Sequence, residues 1–147
     1  MFCKDSISRE AEREAMIKKW FDMWLSGNCE GIDDVFSDDI VYIESWGPEY
    51  KGARKIKHWF EEWNTRGKVV AWNIKQYFHK EDQTVVEWSF ANVMNDGKEE
   101  KFDGVSLIKW NNGKICFLKE FGCNTDNYDP YCYGDKPVFK EQKCNWF

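Results

Sequence analysis

The sequence predicts an α+β domain, helices first and an antiparallel sheet second. Three observations carry this. Before Gly67 the apolar residues recur with helical spacing. After it they fall in four long runs rich in β-branched and aromatic residues. Short polar turns join those runs, so consecutive strands pair as a meander with helices on one face. The chain's 147 residues are enough for one such domain with its own core, so no disulfide or metal is needed to hold it.

Residues 8–26 read as the first helix. Ser8 is the expected N-cap, with Glu10 and Glu12 in the first turn, where the helix dipole favours acids. Ile17, Trp20, Phe21, Trp24 and Leu25 make one apolar face, and Gly27 supplies a left-handed C-terminal cap. A short helix over 29–36 turns Ile32, Val35 and Phe36 inward. Residues 39–45, DIVYIES, read as a strand, and WGPEYKG as a loop broken at Gly47-Pro48. Residues 53–65 form a second amphipathic helix with Ile56, Trp59, Phe60 and Trp63 on one face. The four strands follow at 69–79, 84–94, 99–110 and 114–122. Asp96-Gly97 and Asn112-Gly113 are signals for two-residue turns of type I′, and Lys80–Gln83 makes the remaining turn. Residues 123–147 contain two Pro and no period, and read as an irregular tail. Its rings, Tyr128, Tyr131, Tyr133, Phe139, Trp146 and Phe147, are too many for a free tail, so it is expected to dock on the domain or on a partner subunit.

Composition excludes several classes. A net charge of −5 argues against nucleic-acid binding, which needs phosphate-neutralising Lys and Arg. No apolar run approaches the ~20 residues of a membrane span, and the first residues have no signal-peptide pattern, so a cytoplasmic protein is expected. Six Cys show no zinc-binding spacing and are expected as reduced thiols; a staple within the tail among Cys123, Cys132 and Cys144 is the alternative in an oxidising compartment. No cofactor or metal motif is present. The outlier is aromatic content, 18% of residues with nine Trp, which points to a ring-lined cavity or a large apolar interface, with a merely bulky core as the alternative.

Strand alternation sorts the side chains. Val70, Trp72, Ile74, Gln76 and Phe78 form the expected inward set of the first long strand, leaving His79 outward. Val86, Trp88, Phe90 and Asn92 form that of the second. Gln76 and Asn92 would then be amides among rings, each needing a partner that is neighbouring backbone, a ligand or a bound water. The last two strands are partly apolar on both faces, which fits helices on one side and a second subunit on the other.

The stretch VFSDDIVYIESWGPEYKGARKIKHWFEEW, followed by the meander ending GVSLIKWNNGKICFLKEFG, resembles the SnoaL-like, nuclear-transport-factor-2-like superfamily over residues 8–122. The resemblance implies a curved sheet wrapped as a cone, or α+β barrel, around three helices. It implies a pocket in the mouth of the cone and often a homodimer through the outer sheet face. Members include ketosteroid isomerases, polyketide cyclases, dehydratases, epoxide hydrolases and transport adaptors, so fold alone does not settle function.

Residue by residue, the resemblance puts Glu44 where the steroid isomerases carry their base. A carboxylate among rings such as Trp46 is desolvated, which raises its pKa toward the useful range. The alternative is a solvated strand-end Glu. Trp20 stands where those isomerases have an oxyanion-binding Tyr, and Ser106 where they have an Asp, so their strong donor pair is absent and steroid isomerisation is not expected. Glu120 is placed inward and could share the cavity with Glu44 as acid and base; an ion pair with a helix Arg or Lys such as Arg54 is the alternative. His58 and His79 are expected at the surface. The site is thus Glu44 and Glu120 as catalytic pair, with Trp20, Trp24, Trp59, Trp72, Gln76, Trp88, Phe90, Asn92 and Ser106 around a flat, largely apolar small molecule. The expected activity is cyclase, isomerase or hydratase-like; a non-enzymatic carrier and a protein–protein adaptor are the alternatives. A homodimer through Val105, Leu107, Phe117 and Phe121 is expected.

Overall fold

The computed structural model describes residues 2–140, with residues 2–6 as backbone alone. Three helices precede the long strands: α1 (Phe2–Ser26), α2 (Ile32–Val35) and α3 (Ala53–Trp63). The strands are β1 (Phe36–Ile43), β2 (Glu49–Lys51), β3 (Gly67–Lys80), β4 (Gln83–Met94), β5 (Glu99–Asn111) and β6 (Lys114–Asn124). They form one curved sheet in the order β2-β1-β6-β5-β4-β3. The sheet does not close, so it is an open cone rather than the α+β barrel expected. Nor is it wholly antiparallel, because β1 runs parallel to β6.

Several boundaries move for identifiable reasons. The stretch before Ser8 has no breaker, so α1 starts earlier and Ser8 lies inside it. Phe36, expected in a helix, opens β1 by pairing with Ile115. Glu49–Lys51, expected as loop, pairs with β1 (Tyr42 faces Tyr50); three residues are too few to show alternation in sequence. β6 continues through Cys123 and Asn124 into the stretch expected to be irregular. The Asn112-Gly113 turn has both residues at positive φ (51° and 77°), as type I′ requires. At Asp96-Gly97 only Gly97 does, and Met94 N bonds Lys98 O across a three-residue loop.

The largest correction is in β3. Its pairing with β4 slips at Val70 and again at Lys75, two β-bulges. The inward stripe is therefore Val69, Trp72, Ile74, Tyr77 and His79. Val70 and Phe78 are instead exposed, and Gln76 faces outward, donating to Glu87 Oε1 at 2.6 Å. His79, expected at the surface, lies under α1: its Nδ1 is 2.9 Å from Thr84 Oγ1, which also accepts from Trp110 Nε1 at 2.9 Å. Its Nε2 faces Glu14 at 3.6 Å.

Rings fill the space between helices and sheet. Trp20, Phe21, Phe36, Tyr42, Phe60 and Trp88 are each at most 1% exposed. Phe21 stacks on Trp72 at 3.9 Å, and Trp20 meets Phe36 edge-on at 4.7 Å. Burying such a side chain is worth about 1.5–3 kcal/mol. Half-exposed ion pairs such as Lys18–Asp22 and Arg66–Glu62 each add about 0–1 kcal/mol, so the aromatic core dominates. Trp88 needs one further concession. A Cβ on Gly104, its partner on β5, would lie 2.5 Å from the indole ring and 2.6 Å from Phe121 O, so only glycine lets the ring lie across the strand.

On the outer face, Val105, Leu107 and Phe117 are half-buried and Phe121 is 47% exposed. Lys109 covers Phe117 and Lys119 covers Phe121. Cys29, Cys116, Cys123 and Cys132 are free thiols; Cys3 and Cys144, and the tail rings Trp146 and Phe147, lie outside the described side chains. No helix is long and apolar enough to cross a membrane among the described residues.

Candidate active site

β1 alternates, so Ile40 and Tyr42 point inward and Glu44, just past the strand end, continues the same side. The chain then turns on itself: Gly47 N bonds Glu44 O, and Glu44 N bonds Pro48 O. This returns Tyr50 to lie opposite Tyr42, with its hydroxyl donating to Glu44 Oε2 at 2.7 Å. On the other side of β1, Tyr42 pairs with Leu118, and Glu120 is the next inward residue of β6. The Tyr42 hydroxyl donates to Glu120 Oε2 at 3.1 Å and accepts from Trp20 Nε1 at 3.3 Å. Two carboxylates, each held by a tyrosine, thus face one cleft.

Their environments differ. Burial pushes the Glu120 carboxyl up to about 8, and the charge of Glu44 adds to the rise against the hydrogen bond from Tyr42. Glu120 is therefore mostly neutral at pH 7. Because Oε2 accepts from Tyr42, its proton belongs on Oε1. Burial also raises Glu44, but hydrogen bonds from Tyr50 and Trp46 and the more distant Arg66 guanidinium oppose it. Neither carboxylate has an ion-pair partner within 4 Å among the described residues, so the expected Arg54 alternative for Glu120 is not formed.

The cleft has a volume of ≈ 1670 Å³. Glu44, Glu120, Trp24, Trp59, Trp72, Trp88, Phe90 and Asn92 line it. Trp20, Ser106 and Gln76 do not. Trp20 is sealed behind Tyr42, and Ser106 is buried, accepting from Trp88 Nε1 at 2.9 Å. Gln76 is on the opposite face because of the bulges. Trp46 is 62% exposed at the rim, and His58, also exposed, reaches the rim from α3. Tyr128, Phe139 and Lys140 of the tail contribute to the wall.

Sequence reasoning passed over Tyr42 and Tyr50, the two residues that hold the carboxylates. Tyr42 was within reach, since DIVYIES gives it the same parity as Glu44. Tyr50 was hidden by the loop reading. Three buried polar atoms on the cleft residues have no hydrogen-bond partner among the described residues: Trp24 Nε1, Trp72 Nε1 and Asn92 Oδ1.

The fold is shared with solved structures of low sequence identity. A protein of ketosteroid isomerase-like fold from Catenulispora acidiphila, solved with trimethylamine, is 15% identical with a TM-score of 0.65, covering 72% of this chain and 83% of that one. An LEH-like epoxide hydrolase from M. tuberculosis is 13% identical with a TM-score of 0.69, covering 77% and 84%. An NTF2-like protein of unknown function from Exiguobacterium is 21% identical with a TM-score of 0.64, covering 75% and 99%. No curated protein matches the sequence. The model of the SnoaL-like domain matches residues 17–118, most of the chain, and the chain belongs to that family.

Proposed function

We propose that the cleft binds a small, flat, largely apolar molecule and moves a proton on it. The observation that carries this is the unequal carboxylate pair: Glu44 and Glu120 face one ring-lined cleft, and only Glu120 is pushed as far as about 8. Glu44, steadied by Tyr50, takes a proton from a ligand carbon. Glu120, fixed by Tyr42, presents its own proton through Oε1 to the oxygen on which charge develops. Two titratable groups held at different pKa values are what paired acid–base catalysis requires. Cyclase, isomerase and hydratase chemistry all fit this step, and the epoxide hydrolase among the similar structures supports the same class.

The test is deuterium incorporation from D2O into a panel of cyclic ketones, followed by NMR. The expected rate falls as pH rises through about 8, where Glu120 loses its proton, and falls at least ~100-fold in Glu44→Gln. Exchange unchanged by Glu44→Gln would sink the proposal.

A second reading, a carrier without chemistry, is favoured by one observation. The two positions where the steroid isomerases hold their oxyanion donors are both committed internally, Trp20 to Tyr42 and Ser106 to Trp88. A carrier would bind the same panel with no exchange. We also propose that the outer face, where Phe121, Phe78 and Val70 are exposed, meets a second copy of the chain. Native mass spectrometry giving a monomer at micromolar concentration would refute that.

A further inference from the structure

Trp72 and Asn92 are diagonal neighbours on the cleft face. Trp72 pairs with Phe90, and Asn92 is the next inward residue of β4. Both are nearly buried, at 6% and 5% exposure, and both line the cleft. Yet Trp72 Nε1 and Asn92 Oδ1 have no hydrogen-bond partner among the described residues. The orientation of the Asn92 amide is set by its other end: Nδ2 donates to Glu100 Oε2 at 3.4 Å, and a carboxylate accepts only from the NH2 side. The carbonyl oxygen is therefore the end left without a partner.

An unpaired donor and an unpaired acceptor on diagonal neighbours of one face ask for one group that does both. A buried polar atom left unpaired is costly, so the pair is a standing selection for a group that accepts from the indole and donates to the amide. A hydroxyl meets both demands; an ether or a carbonyl meets only the first. The pair is also far from the carboxylates. Asn92 pairs with Glu100 and Glu120 pairs with Ser106, six residues apart on β5, or roughly 20 Å of strand.

We infer that Trp72 and Asn92 form a hydroxyl-reading subsite, which binds the end of an elongated ligand remote from Glu44 and Glu120. Trp72 Nε1–H donates to the hydroxyl oxygen, and the hydroxyl hydrogen goes to Asn92 Oδ1. The rings of Phe90, Phe102 and Trp88 supply the apolar wall around it. The inference rests on the cleft being a small-molecule site, as proposed above, but not on any proton transfer at the far end.

The test uses two probes of nearly one shape, 2-naphthol and 2-methoxynaphthalene, in equilibrium dialysis against the full chain. The expected result is 2-naphthol bound at least ~10-fold more tightly, since methylation leaves Asn92 Oδ1 unpaired. The preference should fall below ~3-fold in Asn92→Leu and in Trp72→Phe, each checked for an unchanged melting temperature. Equal binding of the two probes by the wild type overturns the subsite, a retained water then satisfying the pair, and leaves the cleft reading standing. A preference that survives both substitutions also overturns it. Binding of neither probe overturns the cleft reading and the subsite with it.

Discussion

Replacing Glu120 by Gln removes a carboxyl whose proton the fold holds up to about pH 8. The free-energy consequence follows from linkage. The folded chain holds this proton up to about 8, whereas the unfolded chain releases it near the ordinary 4.5. Stability from this group is thus fully present below about pH 4.5, declines as pH rises through 8, and is flat above. A rise from 4.5 to about 8, at about 1.4 kcal/mol per tenfold, corresponds to about 5 kcal/mol between the two plateaus. That is large against the ~5–15 kcal/mol that holds a domain together. Local relaxation and water entering the cleft reduce it, so roughly 2–5 kcal/mol is expected. Gln cannot ionise, and its carbonyl oxygen can still accept from Tyr42. Glu120→Gln should therefore match the wild type within about 1 kcal/mol at pH 5 and exceed it by roughly 2–5 kcal/mol at pH 9. Urea unfolding at half-unit steps from pH 5 to 10 measures the difference directly. Groups that do not interact with residue 120 cancel in the comparison; Tyr42, Glu44 and Tyr50 do interact with it, and their response is part of the measured difference. Parallel curves for the two proteins would refute the buried, protonated Glu120 and the acid role that depends on it.

Other substitutions test neighbouring parts of the same reasoning. Ser106→Ala leaves the buried Trp88 indole N–H without its acceptor and should cost about 1–3 kcal/mol in urea unfolding, whereas a loss below ~0.5 would mean the bond is replaceable. Gly104→Ala drives a methyl into the Trp88 ring and Phe121 O and should cost about 1–3 kcal/mol, with altered Trp fluorescence; a stability equal to wild type would disprove the close approach. Thr84→Val removes the acceptor for Trp110 and the partner of His79 together. It should lower the melting temperature by more than Asn73→Ala, an exposed control on the same sheet, and equal effects would count against the buried triad.

The order of elements was legible because each carries its own period: Ile17 to Leu25 at helical spacing, Thr84 to Asn92 at strand alternation. The carboxylate pair was legible through resemblance, which placed Glu44 and Glu120 by position. What was not legible has a common cause. The face of Gln76 and His79, the contact of Tyr50 with Glu44 and the commitment of Ser106 to Trp88 all depend on pairing between strands. A single strand carries no mark of where a bulge will fall. Val70 and Lys75 look like ordinary members of an alternating run, and only the partner strand, with fewer residues over the same span, makes them extra. Trp20 illustrates the same limit: its burial was readable, but its donation to Tyr42 was not.

The two bulges make β3 behave as a text read in three frames. Val69 belongs to the first, Trp72 and Ile74 to the second, Tyr77 and His79 to the third. Deleting Val70 removes a spare letter alone: Val69 still faces Asn92 and Ala71 still faces Ala91, so every face stays as it was. Deleting Lys75 does the same between Ile74 and Gln76. Deleting a residue of β4, which pairs with β5 without a slip, shifts it by one position and exchanges the faces on one side of the cut, much as a lost base garbles a message downstream. Along this strand a letter lost at either bulge thus leaves the message legible, whereas one lost from its partner does not.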